Sequence, residues 1–323
     1  MHHLQRGESN WVKQSIPFSY LSFSAKSLDG SAHAVQVYSD ITGGACNCPQ
    51  KLSYLHNLVA EFASGNRGHL IKWSATNYSN IIYHSVKLQT QVVFNEIRNQ
   101  AEWGTLYYAM ESVSDCYMFT CRINRRSVIQ GNDVTYKIAA ATNSRAFFVA
   151  NGTLDNQVET RFRGISDAFP VFAIARDLGS IQETQAPVVW TIGLTTDPAT
   201  SYSDLSGAPA TGRSPYYKSQ YSDDGSLVSG GISLGDGVVA KTNIQIVDYL
   251  NDFSNASLTA QQLDQKILQD AASVHDLLGD LISLSLPQVY GSIQLTIGTD
   301  SHGNFNKSDV MMFMKNLGGA NPG

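Results

Sequence analysis

The chain has 323 residues, 42% hydrophobic and only 15% charged, with a formal net charge of −5 and a sequence pI near 5.9. That length exceeds a usual single domain, and that apolar content can bury more than one core, so one large domain plus part of a second is expected. The acidic balance argues against nucleic acid or an anionic membrane surface as a partner, and no run approaches the roughly 18 apolar residues of a membrane span.

The opening MHHLQRGESNWVKQ has no apolar h-region, so no signal peptide is expected. By Ser15 to Phe18 the chain is already in strand pattern, as though entered midway. Phe18 to Lys26 alternates as a strand, Leu28-Asp29-Gly30-Ser31 supplies a tight turn, and His33 to Asp40 is predicted to return as its partner. Further short β-branched or aromatic runs follow: Ile81 to Ile97, Trp103 to Met110, Val134 to Ala141, Arg145 to Val149, Phe162 to Ile165, Phe169 to Ala175 and Val188 to Leu194. Gly, Asn, Asp and Ser separate them, and that spacing predicts an antiparallel sandwich.

Thr196 to Gly225, rich in Ser, Pro, Gly and Tyr, reads as a connection. After it the period changes. Leu263, Ile267, Ala271, Val274, Leu278 and Leu281 advance by three or four residues, the stripe of an amphipathic helix capped by Asn255 or Ser257 and limited by Pro287. Val289 to Ile297 reads as a short strand or extended turn.

Several long words of this sequence carry a family resemblance: Lys13 to Phe18, SLDGSAHAVQVYSD at 27–40, NQAEWGTLYYAM at 99–110, GISDAFPVFAIARDLG at 164–179 and GTDSHGNFNKSDVMMFMKNLGG at 298–319. In these the chain resembles the fungal glutaminase A family. The resemblance implies a mainly β fold, an antiparallel β-sandwich followed by a truncated all-α (α/α)6-barrel segment. It also implies an extracellular amidohydrolase whose small-molecule substrate is L-glutamine; the residues themselves indicate no cofactor, and charge and apolar run length point to no nucleic-acid partner and no membrane partner. The domains expected are a β-sandwich over 1–225, an insert or linker over 226–246, and the opening helices of an incomplete catalytic domain over 247–323. In such a fragment glutaminase activity is not expected.

Three segments depart from the family pattern, near 44–60, 113–133 and 226–246. Two begin Val-Ser, as a splice donor read in frame would translate, and all three are read as retained introns. All four cysteines, Cys46, Cys48, Cys116 and Cys121, fall in the first two. Their spacing matches no standard zinc site, no metal is expected, and nothing fixes a disulfide connectivity. Four sequons, at Asn77, Asn151, Asn255 and Asn306, agree with secretion.

Amide hydrolysis needs a nucleophile or activated water, a base, and donors for the oxyanion. No lysine has a serine three residues earlier, which excludes the Ser-x-x-Lys arrangement. The one concentrated set of titratable groups is Asp300-Ser301-His302-Gly303-Asn304. It fails the calcium-loop pattern, because glycine falls at position 4 and Met311 at position 12. Two readings stay open: Asp300 and His302 as a catalytic acid/base pair at a barrel mouth, or an Asp/Gly/Asn turn held by its own side chains. Glu102 beside Trp103 either lines a cleft or sits on a strand whose aromatic neighbour is core. Two alternative functions remain, a carbohydrate-binding β-sandwich with Trp73, Trp103 or Trp190 as platforms, and a glycoside hydrolase-like protein.

Overall fold

The computed structural model describes residues 11–42, 66–78, 81–97, 100–112, 133–204, 207, 209–221, 265, 269–270, 273–274 and 293–314. The four cysteines, the inserts apart from Asp133, and most of the 263–281 helical stripe lie outside these. The chain divides into two compact units, Tyr20–Leu194 and a second made of Met1–Ser19 with Thr195–Gly323.

A short helix α1 (Trp11–Gln14) precedes the strands β1 (Phe18–Phe23), β2 (His33–Thr42), β3 (Ile71–Tyr78), β4 (Ile81–Leu88), β5 (Glu96–Ile97), β6 (Gln100–Ala101), β7 (Thr105–Glu111) and β8 (Val134–Ala140). Helix α2 (Ala141–Asn151) follows, then β9 (Pro170–Ile181), β10 (Val188–Thr195), β11 (Thr200–Tyr202), β12 (Thr211–Pro215), a 3-10 turn at Tyr216–Ser219, β13 (Ile293–Thr299) and β14 (Phe305–Met314). The first unit holds a five-stranded sheet, β1-β10-β7-β4-β3, and a three-stranded sheet, β2-β9-β8. The register is antiparallel wherever it is defined within them.

Alternation explains why these two sheets face each other. Ile82, Val86 and Leu88 of β4, Leu106, Tyr108 and Met110 of β7, and Val188 and Trp190 of β10 meet Val37 and Ile41 of β2, Val134 and Ile138 of β8, and Phe172 and Ile174 of β9 in one core. Period-2 placement puts each set on one sheet face, and burying each such side chain contributes about 1.5–3 kcal/mol. Two polar side chains bridge the layers: His84 Nε2 lies 3.1 Å from the Ala173 carbonyl, and Trp190 Nε1 donates to the Ile174 carbonyl at 3.3 Å. His84 is fully buried between Tyr136 and Phe172. Burial pushes its pKa down to about 4, only partly opposed by the Ala173 carbonyl.

The Phe162–Ile165 run forms no strand, only an isolated bridge at Arg163. Two other local expectations are corrected. The Arg145–Val149 run is not a strand but the middle of α2. Its Phe-Phe-Val sequence has strand propensity, yet Phe147 and Phe148 pack with Leu154, Ala173, Ala175 and Tyr38 on the outer face of the three-stranded sheet. Arg145 clamps Asp40 with two hydrogen bonds of 2.8 and 2.9 Å, and Gly152 ends the helix at φ +70, donating to the Phe148 carbonyl. Tertiary packing overrides propensity here. The second correction concerns β1 and β2, which are not hairpin partners. β1 joins β10 in one sheet, while β2 pairs with β9 in the other. The Asp29 turn carries the chain between layers. Asp29 Oδ1 accepts from Ser27 Oγ at 2.6 Å and Ser31 N at 2.8 Å, and lies 3.0 Å from His33 Nε2. These contacts, Ser27 foremost, hold its carboxyl down to about 2.

In the second unit a four-stranded sheet runs β11-β12-β13-β14. Strands therefore occupy 293–299 and 305–314, inside the interval expected to hold barrel helices. The register slips between Ile297 and Gly298, so the β14 strand bulges around Asp309. That bulge aims the Asp309 carboxylate at Arg213 of β12, a side chain only 5% exposed. Arg213 also donates to Thr296 Oγ1 at 3.0 Å and to the Asp309 carbonyl at 2.9 Å. Of the helical stripe, the described residues Gln265, Gln269, Asp270, Ser273 and Val274 are helical. Val274, one of the residues of the apolar stripe, is 75% exposed.

Candidate functional site

The loops before β3, before β7 and before β9 gather at one end of the first unit. The register places Ile71 against Leu88 and Val86 against Leu106, so the β3 and β7 starts share an edge. An isolated bridge between Ile71 and Arg163 joins the loop before β9 to them. Gly164, in the loop before β9, lies so close to the loop before β3 that a Cβ would meet the Arg67 carbonyl at 2.8 Å and the Gly68 carbonyl at 2.9 Å, which only glycine avoids. Ser166 donates twice to the Arg67 carbonyl, from N at 3.1 Å and from Oγ at 3.2 Å. The loop then passes through two left-handed residues, Ala168 (φ 58) and Phe169 (φ 41). Each such non-glycine conformation costs on the order of 1–3 kcal/mol and persists only where its surroundings enforce it. Here Arg163 supplies the enforcement: it is buried beside Trp73, paired with Glu159, and donates from Nε to the Asp167 carbonyl at 2.7 Å.

At the centre of this rim, His69 Nδ1 lies 3.0 Å from Glu102 Oε2. The carboxylate side chain is 4% exposed, whereas the imidazole is 44% exposed. Glu102 is fixed by backbone bonds on both sides, its N–H to the Asn95 carbonyl at 2.9 Å and its carbonyl to the Val92 N–H at 3.1 Å. Next to it Gln91 brackets Gly104, donating to its carbonyl at 2.9 Å and accepting from its N–H at 3.2 Å. A buried carboxylate that orients a solvent-facing imidazole is the arrangement that sets a histidine tautomer for proton transfer or ligation. Among the described residues, however, no group of three or more His, Cys, Asp and Glu side chains is placed to hold a metal ion. The sequence singles out Glu102 but does not join it to His69, because nothing in the spacing of the two announces their contact.

Asp300 and His302 lie on the turn between β13 and β14. Asp300 Oδ1 accepts the N–H groups of His302 at 2.8 Å and Asn304 at 2.9 Å, and its own N–H donates to the Asn304 carbonyl at 2.8 Å. Gly303, at φ +82, completes the reversal. The Asn304 and His302 backbone bonds, in that order, hold the Asp300 carboxyl below its usual range. The carboxylate thus meets the backbone of His302, while the imidazole lies exposed with its Nδ1 3.4 Å from Ser301 Oγ. The expected Trp platforms are corrected as well. Trp73, Trp103 and Trp190 are 6%, 8% and 3% exposed and present no open face for a sugar.

Residues 8–233 match the family described as a domain of unknown function, DUF5127. Glutaminase A of Aspergillus oryzae (strain ATCC 42149 / RIB 40) is 31% identical over 313 residues, covering 93% of this chain and 37% of that protein. A probable glutaminase of Arthroderma benhamiae (strain ATCC MYA-4681 / CBS 112371) is 22% identical over 326 residues, covering 93% of this chain and 31% of the relative. The chain spans about a third of the length of both. With that match along most of its length, the chain belongs to the DUF5127 family, and within it is similar to proteins named glutaminase.

Proposed function

We propose that the chain is the β-structured module of a glutaminase-type amidohydrolase, a polypeptide that as a whole converts L-glutamine and water to L-glutamate and ammonia. The carrying observation is the 31% identity to a protein named Glutaminase A along 93% of this chain, within only 37% of that relative. In this reading the module does not itself hydrolyse glutamine. Support comes from the placement of the titratable groups. The Asp300 carboxylate is committed to backbone donors of its own turn, and Glu102 is committed to His69 and to a buried position. Asp300 and His302 then shape a hairpin turn and take no part in the chemistry. A helical barrel segment and a site of action outside the cell belong to the same proposal. The helical residues between Gln265 and Val274 fit the first, and the exposed sequon residues Asn77, Asn151 and Asn306 fit the second.

The test compares ammonia release from L-glutamine by three proteins: this chain, the Aspergillus oryzae relative, and a chimera in which this chain replaces the corresponding part of that relative. Activity in the relative and the chimera, with none in the chain alone, is the expected pattern. Turnover by the chain alone at the relative's rate overturns the assignment of chemistry elsewhere. A folded chimera that releases no ammonia overturns the glutaminase reading.

A further inference from the structure

At the rim, the turn that opens the β5–β6 hairpin carries three consecutive apolar residues into solvent. Val92 is 52% exposed, Val93 47% and Phe94 40%. Leu70, whose carbonyl accepts the Gln89 N–H at 2.9 Å, adds a fourth apolar side chain at 36% exposure. Scattered apolar residues on a surface need no explanation, but a contiguous run held rigidly outward does. This turn is rigidly held. Asn95 N donates to the Val92 carbonyl at 3.1 Å, and Val92 N and Asn95 O both bond the Glu102 backbone. Phe94 sits at φ 61, a left-handed conformation a bulky residue rarely adopts. Its ring is fixed edge-on to Trp103 with centroids 5.5 Å apart. Backbone strain is thus held in place in a turn that leaves Val92 and Val93 about half exposed and seats the Phe94 ring on Trp103, the pattern of a pre-organised contact.

We propose that the Val92–Phe94 tip is a docking knob for the part of a longer glutaminase polypeptide that lies beyond this chain. The inference rests on the glutaminase-module reading above. Two observations select that occupant. The relatives carry about two-thirds of their length outside the matched region, 37% and 31% of them being covered, so a large surface belongs to the same polypeptide there. The tip itself bears no charge and is followed by the exposed carboxylate Glu96, in a chain of net charge −5. That charge pattern opposes an anionic membrane and fits an apolar pocket rimmed by donors or cations.

The test uses Val93→Glu, which places a charge on the tip without touching the Phe94–Trp103 contact. In the chain alone, the variant is expected to remain a monomer by gel filtration with an unchanged melting temperature. In the chimera with the Aspergillus oryzae relative, the unaltered protein is expected to melt in one transition. Val93→Glu is expected to split it into two and to raise trypsin cleavage at the junction at least tenfold. The proposal is overturned if the unaltered chimera already melts in two transitions, or if the variant chimera behaves as the unaltered one. It is overturned equally if the unaltered chain alone is a dimer that Val93→Glu dissolves, or if it binds phosphatidylcholine vesicles through the tip. Ammonia release separates the two proposals: a chimera with a single transition but no glutamine hydrolysis removes the glutaminase reading and leaves the docking result standing.

Discussion

The Arg213 guanidinium grips the Asp309 carboxylate with two hydrogen bonds of 3.0 and 3.1 Å, directly over Gly298. A Cβ at Gly298 would fall 1.9 Å from Asp309 Oδ2. Gly298→Ala therefore forces the pair apart and leaves a nearly buried cation without its partner. Removing one member of such a pair costs on the order of 3–5 kcal/mol when both are buried. Asp309 is 36% exposed, so a loss of about 2–4 kcal/mol is expected for Gly298→Ala and for Asp309→Ala. Urea unfolding followed by fluorescence checks both, and a loss below about 0.5 kcal/mol would show that the pair carries no weight.

His84 makes the fold acid-sensitive. Its folded pKa is depressed from 6.5 to about 4. The native state therefore keeps the ring neutral where the unfolded chain has taken up a proton. Stability from this group is complete above pH 6.5 and declines as pH falls through 6.5 toward 4, by about 3 kcal/mol in all. His84→Gln should flatten that decline between pH 7 and pH 4. Parallel slopes for the two proteins in urea titrations across this range would contradict it.

The Asp300 turn gives a test of structure against chemistry. Asp300→Ala removes acceptors from the His302 and Asn304 N–H groups and should lower the melting temperature, whereas His302→Ala should leave it unchanged. The folded Asp300 carboxyl is depressed, so its contribution is present above its usual pKa and fades as pH drops below it. Equal effects of the two substitutions by calorimetry would count against the turn role.

Surface position permits glycan attachment at three sequons. Asn77, Asn151 and Asn306 are exposed, and Asn151 Nδ2 donates to the Phe147 carbonyl at 2.8 Å at the end of α2. Made through a eukaryotic secretory pathway, the chain should lose mass on endoglycosidase treatment, and Asn→Gln at all three should abolish most of that loss. An unchanged mass would argue against passage through that pathway or against access to these sites.

Much of the sandwich was legible because its strands alternate. Ile82, Val86 and Leu88, or Leu106, Tyr108 and Met110, state a period of 2 plainly. What sequence obscured had physical causes. Phe147 and Phe148 have strand propensity but are set in α2 by packing on Ala173 and Ala175. The Val310 to Met314 run is apolar without a period, which leaves strand and helix indistinguishable. It became β14 because Ile293 to Ile297 lay across a tight turn to pair with it. At the rim, Glu102 stood out as a carboxylate beside tryptophan, but its partner His69 is 33 residues away. That contact exists only once β3, β4 and β7 have lined up their ends.

The β2–β9 pairing also sets an order of events on the ribosome. β2 ends at Thr42, yet the strand it pairs with begins at Pro170 and its first rung joins His33 to Ile181. During synthesis β2 emerges early and waits, with its ladder groups unpaired, while β3, β4, β7 and β8 are made. Pairings so distant in sequence close slowly, and an unpaired strand is a template for other chains until they do. The vulnerable period of this protein is therefore its own translation; β9 ends it for β2, and β10, the partner of β1, ends it for the other sheet.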